Sequence, residues 1–334
     1  MNISVLGAGT WGTALAILLA NNGHEVILRS SNEKKVKALN EDRNSVPNLP
    51  GAVLNPEIIV TSDLEAALKK PELIVFAVAS PYIRSMAQEI KGRIPDGMKI
   101  VNVSKGIEND TLMTLTEIIK EELPSADVAV LSGPSHAEEV SRSFPTTCVV
   151  GAASKKTAVF IQDTFMNEHF RVYTSPDIIG IEIGGSLKNV IALAAGIVDG
   201  LGYGDNTKAA LITRGIVEIS RLGLKMGGKI ETFSGLSGIG DLIVTCTSKH
   251  SRNRNAGYFI GKGYTMDEAM KEVNQVVEGV YSAKAALKLA NKYGVEMPIV
   301  EQINKVLFEG KPAKAALTEL LVRDKTSEST NFEW

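Results

Sequence analysis

The sequence predicts a chain in two unlike parts, an α/β N-terminal domain over residues 1–175 and an all-α C-terminal domain over 176–334, and three observations carry this. The chain opens with a strand, a glycine turn and a helix start. Short β-rich runs then alternate with helical patterns as far as Thr174, the order of a parallel sheet covered by helices. Beyond Thr174-Ser175-Pro176 there is no convincing strand run, and long helical patterns follow one another.

The first strand, Asn2-Ile3-Ser4-Val5-Leu6, meets Gly7-Ala8-Gly9-Thr10-Trp11-Gly12, and the apolar Ala14–Ala20 follows at once. The G-x-G-x-x-G spacing suits a dinucleotide: Gly7 permits a tight turn, Gly9 lets a pyrophosphate approach the backbone, and Gly12 lets the helix pack closely on the strand. The unpaired N–H groups at the helix start favour that anion. The first half is therefore read as Rossmann-like. Further strands are expected at Glu25–Arg29, Ile58–Thr61, Leu73–Val78, Lys99–Val103, Asp127–Leu131, Thr146–Gly151 and Phe170–Thr174. Helical patterns lie between several of them, at Leu64–Leu68, Ile83–Ile90, Leu112–Leu123 and Thr157–Met166.

In the second half, helices are expected at Ile178–Asp199, Thr207–Leu222, Thr265–Glu272, Ser282–Tyr293 and Pro298–Glu309. The glycine-rich pieces Gly200–Gly204, Gly227-Gly228, Gly235–Gly240 and Gly257–Gly263 read as connections. The tail Lys325–Trp334 is polar apart from Phe332 and Trp334 and reads as loosely held. Ligands of open α/β sheets bind at the carboxyl ends of the strands, so the active site is expected between the halves.

Charged residues at 22%, hydrophobic ones at 44% and a net charge of −2 describe an ordinary globular protein with no global attraction to nucleic acid or anionic lipid. Cys148 and Cys246 are far apart and lack ligand spacing, so neither a disulfide framework nor a zinc site is suggested, and a reducing cytoplasm is the simplest reading. With the first strand expected from Asn2 and the apolar stretch Val190–Val198 too short to span a bilayer, neither secretion nor a membrane anchor is expected.

Several residues could carry chemistry. The second strand ends Arg29-Ser30-Ser31-Asn32, where an NAD-specific site usually carries Asp or Glu; a basic and hydroxyl set accommodates a 2′-phosphate, so NADP is preferred to NAD. The alternative is an ordinary strand-end arginine with Glu33 serving NAD. Lys105, after a strand end, suits an anionic substrate. Gly133-Pro134-Ser135-His136 follows the next strand, and its plain reading is a turn with Ser135 capping a helix. The apolar helix Ile178–Val198 contains Glu182, Lys188 and Asn189 on one arc. A buried lysine loses basicity toward the range useful for proton transfer, unless it snorkels to solvent or pairs with Glu182. Asp241 in Gly235–Cys246 is placed to orient a lysine, and Ser251-Arg252-Asn253 has the donors that a phosphate ester calls for, although a glycine loop with a solvated basic stretch fits equally.

Taken together, GAGTWG at Gly7–Gly12, VSKG at Val103–Gly106, SGPSHAEEV at Ser132–Val140, E-x-x-x-x-x-KN at Glu182–Asn189, GLSGIGDLIVTCTS at Gly235–Ser248, SRN at Ser251–Asn253 and VVEG at Val276–Gly279 closely resemble the bacterial-type NAD(P)-dependent glycerol-3-phosphate dehydrogenases. The resemblance implies that Lys188 is the catalytic acid/base, positioned by Asp241 and Asn189. It implies that Lys105, Gly133, Ser135, Lys188, Asp241, Ser251, Arg252 and Asn253 contact the substrate, a phosphorylated triose. It further implies that Thr10, Trp11, Lys105, Ala137, Arg252, Val276 and Glu278 line the cofactor site, and that the protein is a cytoplasmic homodimer supplying glycerol phosphate to phospholipids. The chain departs from the family's pattern at Arg29-Ser30-Ser31, where Trp followed by a basic residue or His is common. Two other readings stand beside it: a β-hydroxyacid or 6-phosphogluconate-type dehydrogenase, whose lysine and asparagine are spaced K-x-x-N rather than adjacent, and a non-catalytic NADP-sensing protein.

Overall fold

The computed structural model describes residues 1–47, 49–274, 276–325 and 327–328, so most of the tail Lys325–Trp334 lies outside the described residues. Its first half is built from β1 (Asn2–Leu6), α1 (Thr10–Asn21), β2 (Glu25–Arg29), α2 (Glu33–Glu41), β3 (Ile59–Thr61), α3 (Leu64–Ala67), β4 (Leu73–Phe76), α4 (Ile83–Ile90), β5 (Lys99–Asn102), α5 (Leu115–Glu122), β6 (Asp127–Ser132), α6 (Ala137–Val140), β7 (Thr146–Ala152), α7 (Lys155–Phe165) and β8 (Phe170–Ser175). The strands form one sheet in the order β3-β2-β1-β4-β5-β6-β7-β8. Its chain path leaves β1 first toward β2 and later returns to β4, which opens a crevice at the carboxyl ends of β1 and β4.

Both faces of the sheet are covered, as the nearly continuous apolar strands require. One core joins α1 and α7 to Val5, Leu28, Val75 and Val101; the other joins α3, α4 and α5 to Leu6, Ile74, Phe76 and Ile100. The expectation of an all-parallel sheet is corrected at one place, because β7 runs antiparallel to β6. The connection between these strands, residues 133–145, carries only the four-residue α6 and not the longer helix that usually forms a parallel crossover. The helix expected from Leu112 begins instead at Leu115, where Thr114 and Glu117 close a capping box.

The second half contains α8 (Ile178–Gly200), α9 (Asp205–Lys225), α10 (Ile230–Phe233), α11 (Asp241–Thr247), α12 (Arg252–Gly261), α13 (Met266–Val273), α14 (Glu278–Tyr293), α15 (Pro298–Phe308) and α16 (Ala313–Leu321). At its centre is α8, buried without interruption from Gly180 to Val198. That helix is long and apolar enough to cross a membrane, contrary to the length read from Val190–Val198, but 89% of its apolar window is buried inside the protein as a core helix.

Gly257–Gly263 is not simply a connection. Gly257 and Gly261 lie within α12, and a Cβ on Gly257 would stand 2.0 Å from the Leu193 carbonyl oxygen of α8, while one on Gly196 would stand 1.9 Å from that of Arg254. The glycines let two helix backbones touch, so α12 is seated tightly against α8. The halves meet where Ile181 of α8 packs on Val130 and Val149 of the sheet, and where Glu182 accepts hydrogen bonds from the N–H and hydroxyl of Thr116. Burial raises the Glu182 carboxyl to about 7.

Candidate active site

The glycine turn closes as its sequence demands. Gly7 has φ +121°, a conformation few side chains tolerate, and a Cβ there would lie 2.6 Å from the backbone of Ala77. Gly12 faces the carbonyl of Gly7, which holds α1 against β1. By contrast, a Cβ on Gly9 would meet no protein atom within 4 Å. Gly9 therefore borders open space at the start of α1, where the unpaired N–H groups of the helix favour an anion. Trp11 is tied across the crevice, its indole Nε1 donating to the Val103 carbonyl at 3.2 Å.

From this turn a groove of about 320 Å³ runs between the halves. Gly9, Thr10, Trp11, Lys105, Ser135, Ala137, Lys188, Asn189, Ser251, Arg252, Asn253, Val276 and Glu278 line it, so residues spread over most of the chain converge. Gly7, Gly12, Gly133 and Asp241 stand behind that lining. Arg29, Ser30 and Ser31 lie outside it.

At its floor is a buried ion cluster. Lys188 and Asp241 are 6% and 1% exposed, so each must find its partners inside the protein. Lys188 Nζ donates to Asp241 Oδ1, and to Thr245 Oγ1 at 2.7 Å; the Thr245 hydroxyl donates onward to the Asp241 carbonyl at 2.6 Å. Lys105 Nζ donates to Asp241 Oδ2 at 2.6 Å and to the Gly133 carbonyl at 3.2 Å. Burial pulls Lys188 down to about 8, against the opposing pull of Asp241 and with the help of the Lys105 charge. Burial also acts to lower Lys105, but Asp241 outweighs it and leaves Lys105 above its ordinary value. For Asp241, burial is overcome by the two ammonium groups, which hold its carboxyl below the usual range.

The partner of Lys188 is thus Asp241, and neither solvent nor Glu182, which is taken up by Thr116. The expectation that Asn189 positions Lys188 is corrected. Asn189 donates to Glu278 at 3.1 Å and accepts from Asn253 at 3.0 Å, while Asn253 accepts from the Gly279 N–H at 2.7 Å. This chain of amides ties the starts of α12 and α14 to α8. The reading of Ser135 as a helix cap is also corrected: its hydroxyl donates to the Gly133 carbonyl at 3.0 Å, and His136 occupies the cap position.

Ser251 begins α12, its hydroxyl accepting from the Arg254 N–H, and Arg252 follows in the groove wall. The supposed solvated loop is therefore a helix N-terminus aimed at the groove, which favours an anion. Arg29 does not serve the groove. It is buried, and its guanidinium donates to Glu89 at 3.1 Å and to the Ser62 carbonyl at 3.4 Å, because it shares the sheet face of Ile27, under α4. The idea that its fork takes a 2′-phosphate is corrected accordingly; Ser30, Ser31 and Asn32 remain at that strand end.

Three groups passed over in the sequence enter the site: Thr245, His136 and His250. Thr245 lies four residues after Asp241, one helical turn on, and that spacing was the available signal. A group fit for a dinucleotide is recognisable in the open space at Gly9, the turn at Gly7 and the cationic floor. Among the described residues no group of His, Cys, Asp and Glu suited to a metal is present.

The model of the N-terminal part of the NAD-dependent glycerol-3-phosphate dehydrogenases matches residues 2–158, and that of the C-terminal part matches residues 177–318. Glycerol-3-phosphate dehydrogenase (NAD(P)+) of Agathobacter rectalis is 59% identical over 332 residues, covering 99% of each chain. The enzyme of that name from Fusobacterium nucleatum is 58% identical over 330 residues, covering 98% of each. A crystal structure of glycerol-3-phosphate dehydrogenase from Coxiella burnetii superposes with a TM-score of 0.93 at 37% identity, covering 96% of this chain and 99% of that one.

Proposed function

The chain belongs to the NAD(P)-dependent glycerol-3-phosphate dehydrogenase family, and from that premise we propose that its groove interconverts dihydroxyacetone phosphate and sn-glycerol 3-phosphate, with Lys188 as acid/base. The observation that carries the assignment is the Lys188–Asp241 pair, buried under the groove that leads from the glycine turn. The dehydrogenase reading is preferred to that of a β-hydroxyacid enzyme by the full-length likeness to glycerol-3-phosphate dehydrogenases. A sensor would have no use for a buried lysine depressed toward neutrality.

Gly9 and Thr10 would hold the pyrophosphate of the cofactor on the turn that Gly7 and Gly12 shape, while Trp11, Lys105, Ala137, Arg252, Val276 and Glu278 would line its path. When bound, the nicotinamide supplies or takes a hydride at C2 of the triose. Lys188, charged in the reducing direction, gives a proton to the oxygen on C2 as that oxygen gains negative charge, and recovers it in the reverse direction. Asp241 and Thr245 fix the ammonium group so that little reorganisation is needed at the moment of transfer. Arg252 and the first N–H groups of α12 take the phosphate, with Ser251 and Asn253 shaping that end. The binding energy of the phosphate then serves to orient the carbonyl. Lys105 adds charge for the anionic substrate and completes Asp241.

With the acidic ribose reader absent at the end of β2, NADP is preferred to NAD. The family likeness supports a cytoplasmic homodimer that supplies glycerol phosphate for phospholipid synthesis. A direct assay tests the reading: NADH and NADPH absorbance are followed separately with dihydroxyacetone phosphate and the purified protein. Consumption of at least one nucleotide that depends on the triose is expected, and its absence with both overturns the assignment.

A further inference from the structure

We propose that His136 contacts the substrate and recognises the hydroxymethyl end of the triose phosphate, making it a determinant of substrate selectivity. The proposal rests on the reaction above and names the one end of the substrate that Lys188 and α12 leave unmatched.

The polar groups around the reacting centre are already paired within the protein. Lys188 and Lys105 share Asp241, and Ser135 donates to Gly133. Among the described residues lining the groove, His136 Nε2 is the buried side-chain nitrogen or oxygen without a hydrogen-bond partner. A buried polar atom of this kind is normally matched, so a bound molecule is the natural partner. The ring is braced by His250, with ring centroids 6.0 Å apart. Burial first, and the Lys188 charge next, push the imidazole below its ordinary value and keep it neutral.

In the tautomer protonated at Nδ1, His136 Nε2 accepts a hydrogen bond, whereas Lys105, Lys188 and Arg252 only donate. An acceptor at that place suits a hydroxyl, which can donate to it. It is a poorer match for a phosphate dianion, which asks only for donors. The substrate presents three polar features: the carbonyl goes to Lys188, the phosphate to the start of α12, and the hydroxymethyl group remains.

The test compares kcat/KM for dihydroxyacetone phosphate with that for hydroxyacetone phosphate, which carries hydrogen in place of that hydroxyl. The wild-type protein is expected to prefer the hydroxylated substrate, and His136→Leu to reduce this preference by roughly 10–100-fold, the weight of one buried hydrogen bond. KM for NADPH should move far less. His136→Gln, which keeps a donor and an acceptor, should restore part of the preference. If His136→Leu does not fold, His136→Gln and His136→Asn are read by the same ratio, which must fall as amide reach shortens. An unchanged ratio, or equal losses on both substrates, overturns the proposal. Failure of the wild-type protein to reduce dihydroxyacetone phosphate at all overturns instead the reaction on which it rests.

Discussion

Lys105 and Lys188 bind the two oxygens of one buried carboxylate, that of Asp241. Two ammonium groups over a single carboxylate leave a net positive charge at the floor of the groove, where an anionic triose phosphate would rest. The two lysines sit on opposite sides of their ordinary value: Asp241 holds Lys105 above it, while burial, aided by the Lys105 charge, brings Lys188 down to about 8 against the pull of Asp241.

Replacing Lys188 by Ala removes the proton donor and leaves the glycine turn untouched. We expect kcat for triose reduction to fall by at least ~10²–10⁴-fold, the usual worth of general acid–base catalysis, with NADPH affinity nearly intact. Steady-state kinetics paired with fluorescence titration of NADPH checks this, and normal turnover in the variant refutes the role of Lys188.

The pH profile has a defined sign. Reduction needs the ammonium form of Lys188, so its rate should be full well below pH 8 and decline through about 8; oxidation needs the free amine and should rise through the same range. Asp241, ahead of Glu278, raises Lys188, and Asp241→Asn leaves burial and Lys105 to depress it further. The alkaline limb of reduction should then move to lower pH. A limb that stays in place, or moves upward, contradicts the assignment.

Gly7 and Gly9 should respond differently to the same change. Gly7→Ala meets Ala77 at 2.6 Å in a positive-φ conformation, and the backbone cost alone is roughly 1–3 kcal/mol, so Tm should drop. A methyl group at Gly9 meets nothing in the protein. Gly9→Ala should therefore melt like the wild type while its KM for the nucleotide rises, because the added carbon occupies the approach of the pyrophosphate. Thermal melts beside cofactor kinetics distinguish the two.

Arg29→Ala should destabilise the protein without altering its choice of nucleotide. The guanidinium is buried while Glu89 is 42% exposed, so the loss should be smaller than the roughly 3–5 kcal/mol of a fully buried pair. The ratio of kcat/KM for NADPH to that for NADH should stay within about twofold of wild type, far from the tenfold that 1.4 kcal/mol of lost contact would bring. A collapse of that ratio would return Arg29 to the 2′-phosphate.

Much of this was legible in the chain because the signals are local. The run Asn2–Gly12 specifies strand, turn and helix start within a dozen residues, and Lys188 is conspicuous because its helical neighbours are apolar on every side. Other features escaped. Strand β7 carries the same apolar pattern whichever way it runs, and the glycines of α12 resemble a linker until α8 lies against them. Arg29 reads as a phosphate ligand until Glu89, sixty positions away, claims it.

By itself the sequence determined the order of the strands, the dinucleotide turn and the family, all of which depend on residue type and short-range spacing. Only the tertiary structure decided the pairings: Lys188 with Asp241 rather than Glu182, Asn189 with Glu278 and Asn253 rather than Lys188, and Ser135 with Gly133 rather than a helix end. The reason is physical. Periodicity constrains a side chain through its near neighbours, whereas a buried charge or amide is satisfied by whichever partner the packing of distant elements brings within about 3 Å.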